Sequence, residues 1–302
     1  MFKFTYSDKN IYVKLIRMIM RCFCYLKINK HNVRSIHNFL YKILLPFKDK
    51  GIKLFSNREN CFYFCPYRDI NRFIEGADWK RYNTNNLFPV IFSYLKNKNS
   101  TIVEIGSSWG EEILFLSKLA GKSGKLYCFE PNPESFYCLK KNKENLNLKN
   151  LKLFNLGVYK KKALIRIKED IYGEPRVWAR NMEYAKSEKE KNIIKFTKLD
   201  DVIKGRIDLI KIDTDGYDLD IILGSLNLIK KFKPIIIVEF LPGINYSGLF
   251  DIDVLKKYRK LGFKILLPQF HPTKIISNEK ISSFFSENSF SLTHDLVLIY
   301  DK

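Results

Sequence analysis

The sequence contains no run of about 18 uncharged apolar residues, the length a helix needs to cross a bilayer. Its most apolar early stretch, residues 11–26, is broken by Lys14, Arg17 and Arg21, and no small-residue cleavage site follows. Neither a transmembrane span nor a secretory leader is therefore expected. Acidic residues are scarce beside basic ones: 32 Asp+Glu against 53 Lys+Arg, a formal net charge of +21. Such an excess implies an anionic partner, an acidic membrane surface or a Lys-rich compositional bias. Cysteine is sparse and poorly spaced for metal. Cys61-x-x-x-Cys65 has no second pair in range and no nearby His, so no metal site is assigned. With Cys22, Cys24, Cys128 and Cys138, these thiols read as free and reduced, which fits a cytoplasmic location. The Gly-x-Gly-x-x-Gly fingerprint, a Walker loop, an Asn-Pro-Pro-Tyr base-methylation motif and a convincingly spaced Lys-Asp-Lys-Glu set are all missing.

What remains is ordinary for a globular protein. Hydrophobic residues make up 46% and charged residues 28% of 302, enough to bury the core of one large or two small domains. The charge is uneven: residues 1–60 hold 13 Lys/Arg against 3 Asp/Glu. Lys14, Arg17 and Arg21 recur on one helix face. Residues 1–75 are read as a basic helical extension and 76–302 as the main domain. The extension suits an anionic membrane surface, at the inner face of a membrane, or a helical arm packed on the domain with a solvated basic edge.

From residue 101 a β-α-β-α-β alternation sets in, the signature of a parallel, doubly wound sheet. The expected strands are 101–105, 125–129, 151–156, 207–213, 235–239, 263–267 and 296–300. The expected helices are 87–96, 111–119, one opening at Pro133, 219–231 and 252–261. Residues 164–168 read as a hairpin strand and 169–194 as an irregular loop carrying Arg176, Trp178 and Arg180.

In such sheets, ligands bind beyond the carboxyl ends of the strands. Those ends carry Glu104, Gly106, Glu130, Asp213 and Glu239. Gly106-x-x-x-Gly110 lets backbone approach a ligand without an intervening Cβ, and also suits a plain packing turn. Glu130, about 20 residues on, stands where a carboxylate accepts both ribose hydroxyls of a nucleoside. A ribose-binding carboxylate with no phosphate cradle fits a nucleoside lacking a pyrophosphate, such as S-adenosylmethionine.

Val103-Glu104-Ile105-Gly106-Ser107-Ser108-Trp109-Gly110 resembles motif I of class I S-adenosylmethionine-dependent methyltransferases. The chain more narrowly resembles the FkbM family. The carrying segments are Tyr127-Cys128-Phe129-Glu130-Pro131-Asn132-Pro133-Glu134, Asn155-Leu156-Gly157-Val158, Leu199-Asp200-Asp201 and residues 207–216, ending Asp213-Thr214-Asp215-Gly216. The likeness covers roughly residues 100–300. It departs from the family at Glu104, where Asp is usual, at Ser107-Ser108-Trp109, and at Asp213-Thr214-Asp215-Gly216 in place of Asp-Val-Glu-Gly.

The resemblance implies a Rossmann-like methyltransferase sheet with an antiparallel last strand and helices on both faces. It implies S-adenosylmethionine as cofactor, held by Glu104, Gly106, Ser107, Gly110, Glu130, Pro131, Asn132, Gly157, Val158 and Asp213. It also implies O-methylation of a hydroxyl on a sugar, polysaccharide or related acceptor. An alcohol needs a general base. The candidates are Asp213, Asp215 and Glu239 at strand ends, and His271 and His294 flanking the loop before the last strand; each His also reads as a surface residue. Asp213 and Asp215 could share a divalent cation. The competing readings are an RNA methyltransferase, suggested by the charge, and an inactive methyltransferase-fold binding module.

Overall fold

The computed structural model describes residues 52–56, 61–65, 87–95, 99–166, 168–169, 175–176, 183–187, 193–214, 216–240, 251–268 and 294–301, with isolated positions 277, 280 and 283. The postulated boundary at 75–76 and residues 1–51 lie outside this set.

Seven strands form the main sheet: β3 (Thr101–Ile105), β4 (Lys125–Phe129), β5 (Leu151–Phe154), β12 (Leu209–Ile212), β13 (Ile235–Phe240), β14 (Phe263–Leu266) and β15 (His294–Tyr300). Their order is β14-β15-β13-β12-β3-β4-β5. All pairs are parallel except those made by β15, which runs antiparallel to both neighbours. The central strands β12 and β13 are buried on both faces, as the near-continuous apolar runs of a covered parallel sheet require.

Helices α1 (Leu87–Tyr94), α2 (Ile113–Ala120) and α3 (Pro133–Asn145) pack on one face. There Leu87, Ile91, Ile113, Leu116 and Leu139 meet Ile102, Leu126, Leu209 and Ile237 in one core. The other face carries α4 (Leu199–Val202), α5 (Asp218–Leu223), α6 (Leu226–Phe232) and α7 (Asp251–Leu261). A smaller four-stranded sheet shares that core through Val158, Ile165, Ile194 and Phe196. Its order is β10-β7-β11-β6, with β6 (Gly157–Val158), β7 (Ala163–Arg166), β10 (Glu183–Tyr184) and β11 (Ile193–Thr197).

Several expectations are revised. Residues 52–56 and 61–65 are not helical. β1 (Ile52–Ser56) and β2 (Cys61–Cys65) form an antiparallel hairpin, in keeping with the aromatic and β-branched content of Ile-Lys-Leu-Phe-Ser and Cys-Phe-Tyr-Phe-Cys. The stretch 169–194 is not wholly irregular: β8 (Lys168–Glu169) pairs with β9 (Pro175–Arg176), and β10 and the start of β11 also fall in it. Trp178 and Arg180 lie outside the described residues.

The single helix expected over 219–231 is two, parted at Gly224-Ser225. The Ser225 hydroxyl bonds back to Ile221 O at 2.7 Å, a competitor to helical pairing. Asp200 then caps the new helix, accepting from Asn227 N at 3.1 Å and Leu228 N at 3.0 Å. The last strand starts at His294 rather than 296, so His294 is the first residue of β15, opposite Phe240.

Candidate functional site

The site is built at the carboxyl ends of β12, β3 and β4, which lie side by side. After β3 the chain turns sharply. Gly106 and Gly110 have φ of 87° and 91°, and Ser108 between them has φ of 48°. Gly106 is required by crowding as well as by φ: a Cβ there would lie 1.8 Å from the Asp213 carbonyl oxygen. The Gly106 and Ser107 amides both donate to Phe129 O, at 3.0 and 3.1 Å. Asp213 N donates to Ile105 O at 2.9 Å. The three strand ends are thus locked by backbone bonds.

Glu130 follows β4 and is buried. Ser108 N donates to its Oε2 at 2.8 Å, and Asn132 N donates to its Oε1 at 2.7 Å. The left-handed turn at Ser108 therefore aims an amide at this carboxylate. An ionised carboxylate offers about four lone-pair sites, more than these two backbone donors use. Asn155 Nδ2 fixes the following segment by donating to Glu130 O at 2.8 Å and Pro131 O at 3.2 Å. Asn132 caps α3, its side-chain oxygen accepting from Glu134 N and Ser135 N at 2.9 and 3.1 Å.

Beneath the turn lies a buried charge cluster. Lys211, in the middle of β12 and 3% exposed, donates to Glu112 Oε2 and Asp213 Oδ2, each at 3.1 Å. Glu104 sits opposite Lys211 on β3. Its carboxylate accepts from Cys128 Sγ at 3.2 Å. Burial pushes the Glu104 carboxyl above its usual 4.5, and the Lys211 ammonium opposes the rise. Burial and the adjacent Glu104 raise the Cys128 thiol well above its usual 9.0, which makes this cysteine a poor nucleophile. Lys211 thus joins Glu112 and Asp213, from the two sides of the turn, in one buried cluster beside Glu104.

Of the residues singled out from sequence, Glu104, Gly106, Ser107, Gly110, Glu130, Pro131, Asn132 and Asp213 converge on this edge. Gly157 and Val158 sit in the smaller sheet. A Cβ at Gly157 would fall 2.3 Å from the Phe196 ring, and Val158 is buried in the core. Glu239 is buried at the end of β13, opposite Asp295 on β15. Asp215 and His271 lie outside the described residues, as does the His294 side chain. Sequence reasoning gave no role to Lys211, Glu112, Ser108 or Asn155. Ser108 and Asn155 lay inside the motif segments already quoted, and Lys211 showed as a single charge inside the strand Leu-Ile-Lys-Ile. No group of three or more His, Cys, Asp or Glu able to hold a metal occurs among the described residues.

Comparison with known proteins adds a family. Residues 96–265 match the methyltransferase FkbM domain. No curated protein matches the chain. Similar solved structures include a methyltransferase FkbM from Methylobacillus flagellatus KT, at 14% identity over 67% of this chain and 44% of that one, with a TM-score of 0.41. Another is a Streptococcus mutans protein described provisionally as a methyltransferase, in complex with SAH, at 16% identity over 71% and 95%, TM-score 0.39. A third is a ribosomal protein L11 methylase from Lactobacillus delbrueckii subsp. bulgaricus, at 15% identity over 73% and 79%, TM-score 0.40. This chain spans less than half the length of the first.

Proposed function

The chain belongs to the FkbM methyltransferase family, and from that premise we propose that it methylates a hydroxyl of a sugar, polysaccharide or related glycan-like acceptor. The cofactor is S-adenosylmethionine. The residues at the strand ends fit it. Glu130, with a backbone donor on each oxygen, stands at the strand end where a carboxylate takes a ribose diol. The Gly106–Gly110 turn offers backbone without side chains at its two left-handed glycines. Asp213, at the end of β12, is held beside the glycine turn by Lys211. The doubly anchored Glu130 is the observation that carries the donor assignment, and the glycan-like acceptor rests on the family resemblance alone.

When bound, the cofactor supplies an electrophilic methyl carbon on a sulfonium sulfur. The protein's own residues then have three tasks. Glu130 and the glycine turn orient the donor. The acceptor oxygen must be held in line with the methyl group, which makes positioning the larger part of the rate. A base must take the hydroxyl proton as the oxygen attacks. Asp213, held by Lys211, serves in positioning. The base comes from Asp215, Glu239, His271 or His294. A His base gives kcat a limb near pH 6.5 that falls toward acid, whereas a carboxylate base moves that limb about two units lower.

The acceptor class is tested with methyl-labelled donor offered to oligosaccharides, a lipid-linked glycan and ribosomal RNA. Label in a glycan fraction, stable to mild alkali as an ether is, supports O-methylation. Label confined to RNA contradicts it and favours the reading suggested by the +21 charge. We further propose that basic residues 1–60 hold the enzyme at an anionic membrane surface. The full chain should then float with vesicles containing anionic lipid and lose this on removal of 1–60. Equal failure of both to float contradicts it.

A further inference from the structure

The methyltransferase match covers residues 96–265, so the β1–β2 hairpin lies before it. The hairpin nonetheless reaches the donor turn through one side chain. β2 packs against α3, and Asn142 on α3 is fully buried. Phe64 N donates to Asn142 Oδ1, and Asn142 Nδ2 donates back to Phe64 O at 2.7 Å. This two-point pairing with strand backbone fixes which way the carboxamide points, since its oxygen must face an N–H and its nitrogen a carbonyl. The second N–H of the same nitrogen then donates to Trp109 O at 2.7 Å.

Trp109 stands between the two left-handed residues of the turn, Ser108 with φ of 48° and Gly110 with φ of 91°. A left-handed residue other than glycine persists where its surroundings hold it. Three bonds hold this segment: Ser108 N to Glu130 Oε2 at 2.8 Å, Gly110 N to Ser107 O at 2.9 Å, and the Asn142 bond to Trp109 O. α3 also packs closely on the turn, because a Cβ on Gly110 would lie 2.8 Å from Leu139 Cδ1. Leu139 and Asn142 are three apart and so share a helix face. The Ser108 amide that anchors Glu130 thus belongs to a turn whose next carbonyl is held by Asn142, and Asn142 is oriented by the hairpin.

We propose that Asn142 is a positioning residue for the donor, and that through it hairpin docking and donor binding strengthen each other. This rests on the donor assignment above. By linkage, if the docked hairpin raises donor affinity by some factor, bound donor holds the hairpin closed by the same factor. One hydrogen bond between uncharged groups sets that factor at about fivefold.

The test follows the full chain by hydrogen exchange and by calorimetric titration with S-adenosylhomocysteine, in wild type and Asn142→Ala, with melting curves to establish folding. In wild type, saturating ligand should slow exchange at residues 61–65 about fivefold, as well as at residues 106–110. Asn142→Ala should bind the ligand about fivefold more weakly. In it the ligand should still protect residues 106–110 but no longer residues 61–65. A merely structural asparagine would lower the melting temperature and leave affinity unchanged. Unchanged affinity in folded Asn142→Ala, ligand protection of 61–65 that persists in it, or no slowing at 61–65 in wild type that binds ligand overturns the proposal. If Asn142→Ala does not fold, the wild-type exchange decides alone. Failure of folded wild type to bind S-adenosylhomocysteine is a different result: it overturns the donor assignment, and this coupling with it.

Discussion

At the scale of single residues, the buried cluster around Lys211 is the most consequential feature. Its ammonium compensates Glu112 and Asp213 directly and Glu104 through space. Removing one partner of a buried ion pair leaves charge uncompensated, at a cost of about 3–5 kcal/mol. Lys211→Met should lose that much by denaturant unfolding, and the Lys211→Met/Glu112→Gln double variant should lose less than the two single changes combined. Glu104 adds a pH signature. Its folded-state pKa lies above its unfolded 4.5, so the folded state binds more protons in that window. The stability it contributes is present below pH 4.5 and is lost as pH rises through the raised value. The melting temperature of Glu104→Gln, relative to wild type, should therefore increase from pH 4.5 to pH 8. A constant difference would show that Glu104 does not titrate differently on folding. Carboxylates at strand ends are legible from sequence because the β-to-α switch locates them. Lys211 and Glu112 are not, because their meaning depends on being brought together across two strand ends.

At the scale of elements, two side chains join pieces that local patterning treats as separate. Asn142 on α3 is fully buried. Its Nδ2 donates to Phe64 O and Trp109 O, both at 2.7 Å, and its Oδ1 accepts from Phe64 N. It ties the β1–β2 hairpin and the glycine turn to one helix. Asn142→Ala leaves several backbone groups short of partners and should cost about 2–4 kcal/mol, with faster proteolysis of the hairpin. Asp200 caps α6 from another element, and Asp200→Ala should cost about 1 kcal/mol. The parallel strands are readable because central strands are apolar throughout. The split between α5 and α6 is not, since an apolar helical period runs on through Gly224-Ser225 and the cap that starts α6 is supplied by Asp200, 27 residues before Asn227. The small sheet is likewise hidden: β6 and β10 have two residues each, too short for a period-2 pattern to declare itself.

At the scale of the whole molecule, sheet order converts a linear set of turns into one site. β12, β3 and β4 are separated in sequence yet adjacent in space. Their carboxyl ends bring Asp213, Gly106 and Glu130 to one edge, as the β-α-β alternation implied. Among the described residues no helix is long and apolar enough to cross a membrane, and the proposal that basic residues 1–60 bind an anionic surface is one about charge. The flotation difference between the full chain and one lacking residues 1–60 should shrink at high salt, because exposed charges are screened over about 3 Å at 1 M.

The most direct measurement is calorimetric titration of S-adenosylmethionine and S-adenosylhomocysteine into wild type, Glu130→Ala and Glu130→Gln, with melting curves to establish that each is folded. Micromolar binding by wild type, lost in Glu130→Ala and weakened in Glu130→Gln, is the expected result. Absence of binding in folded wild type, or undiminished binding in folded Glu130→Ala, would contradict a donor site built on this carboxylate.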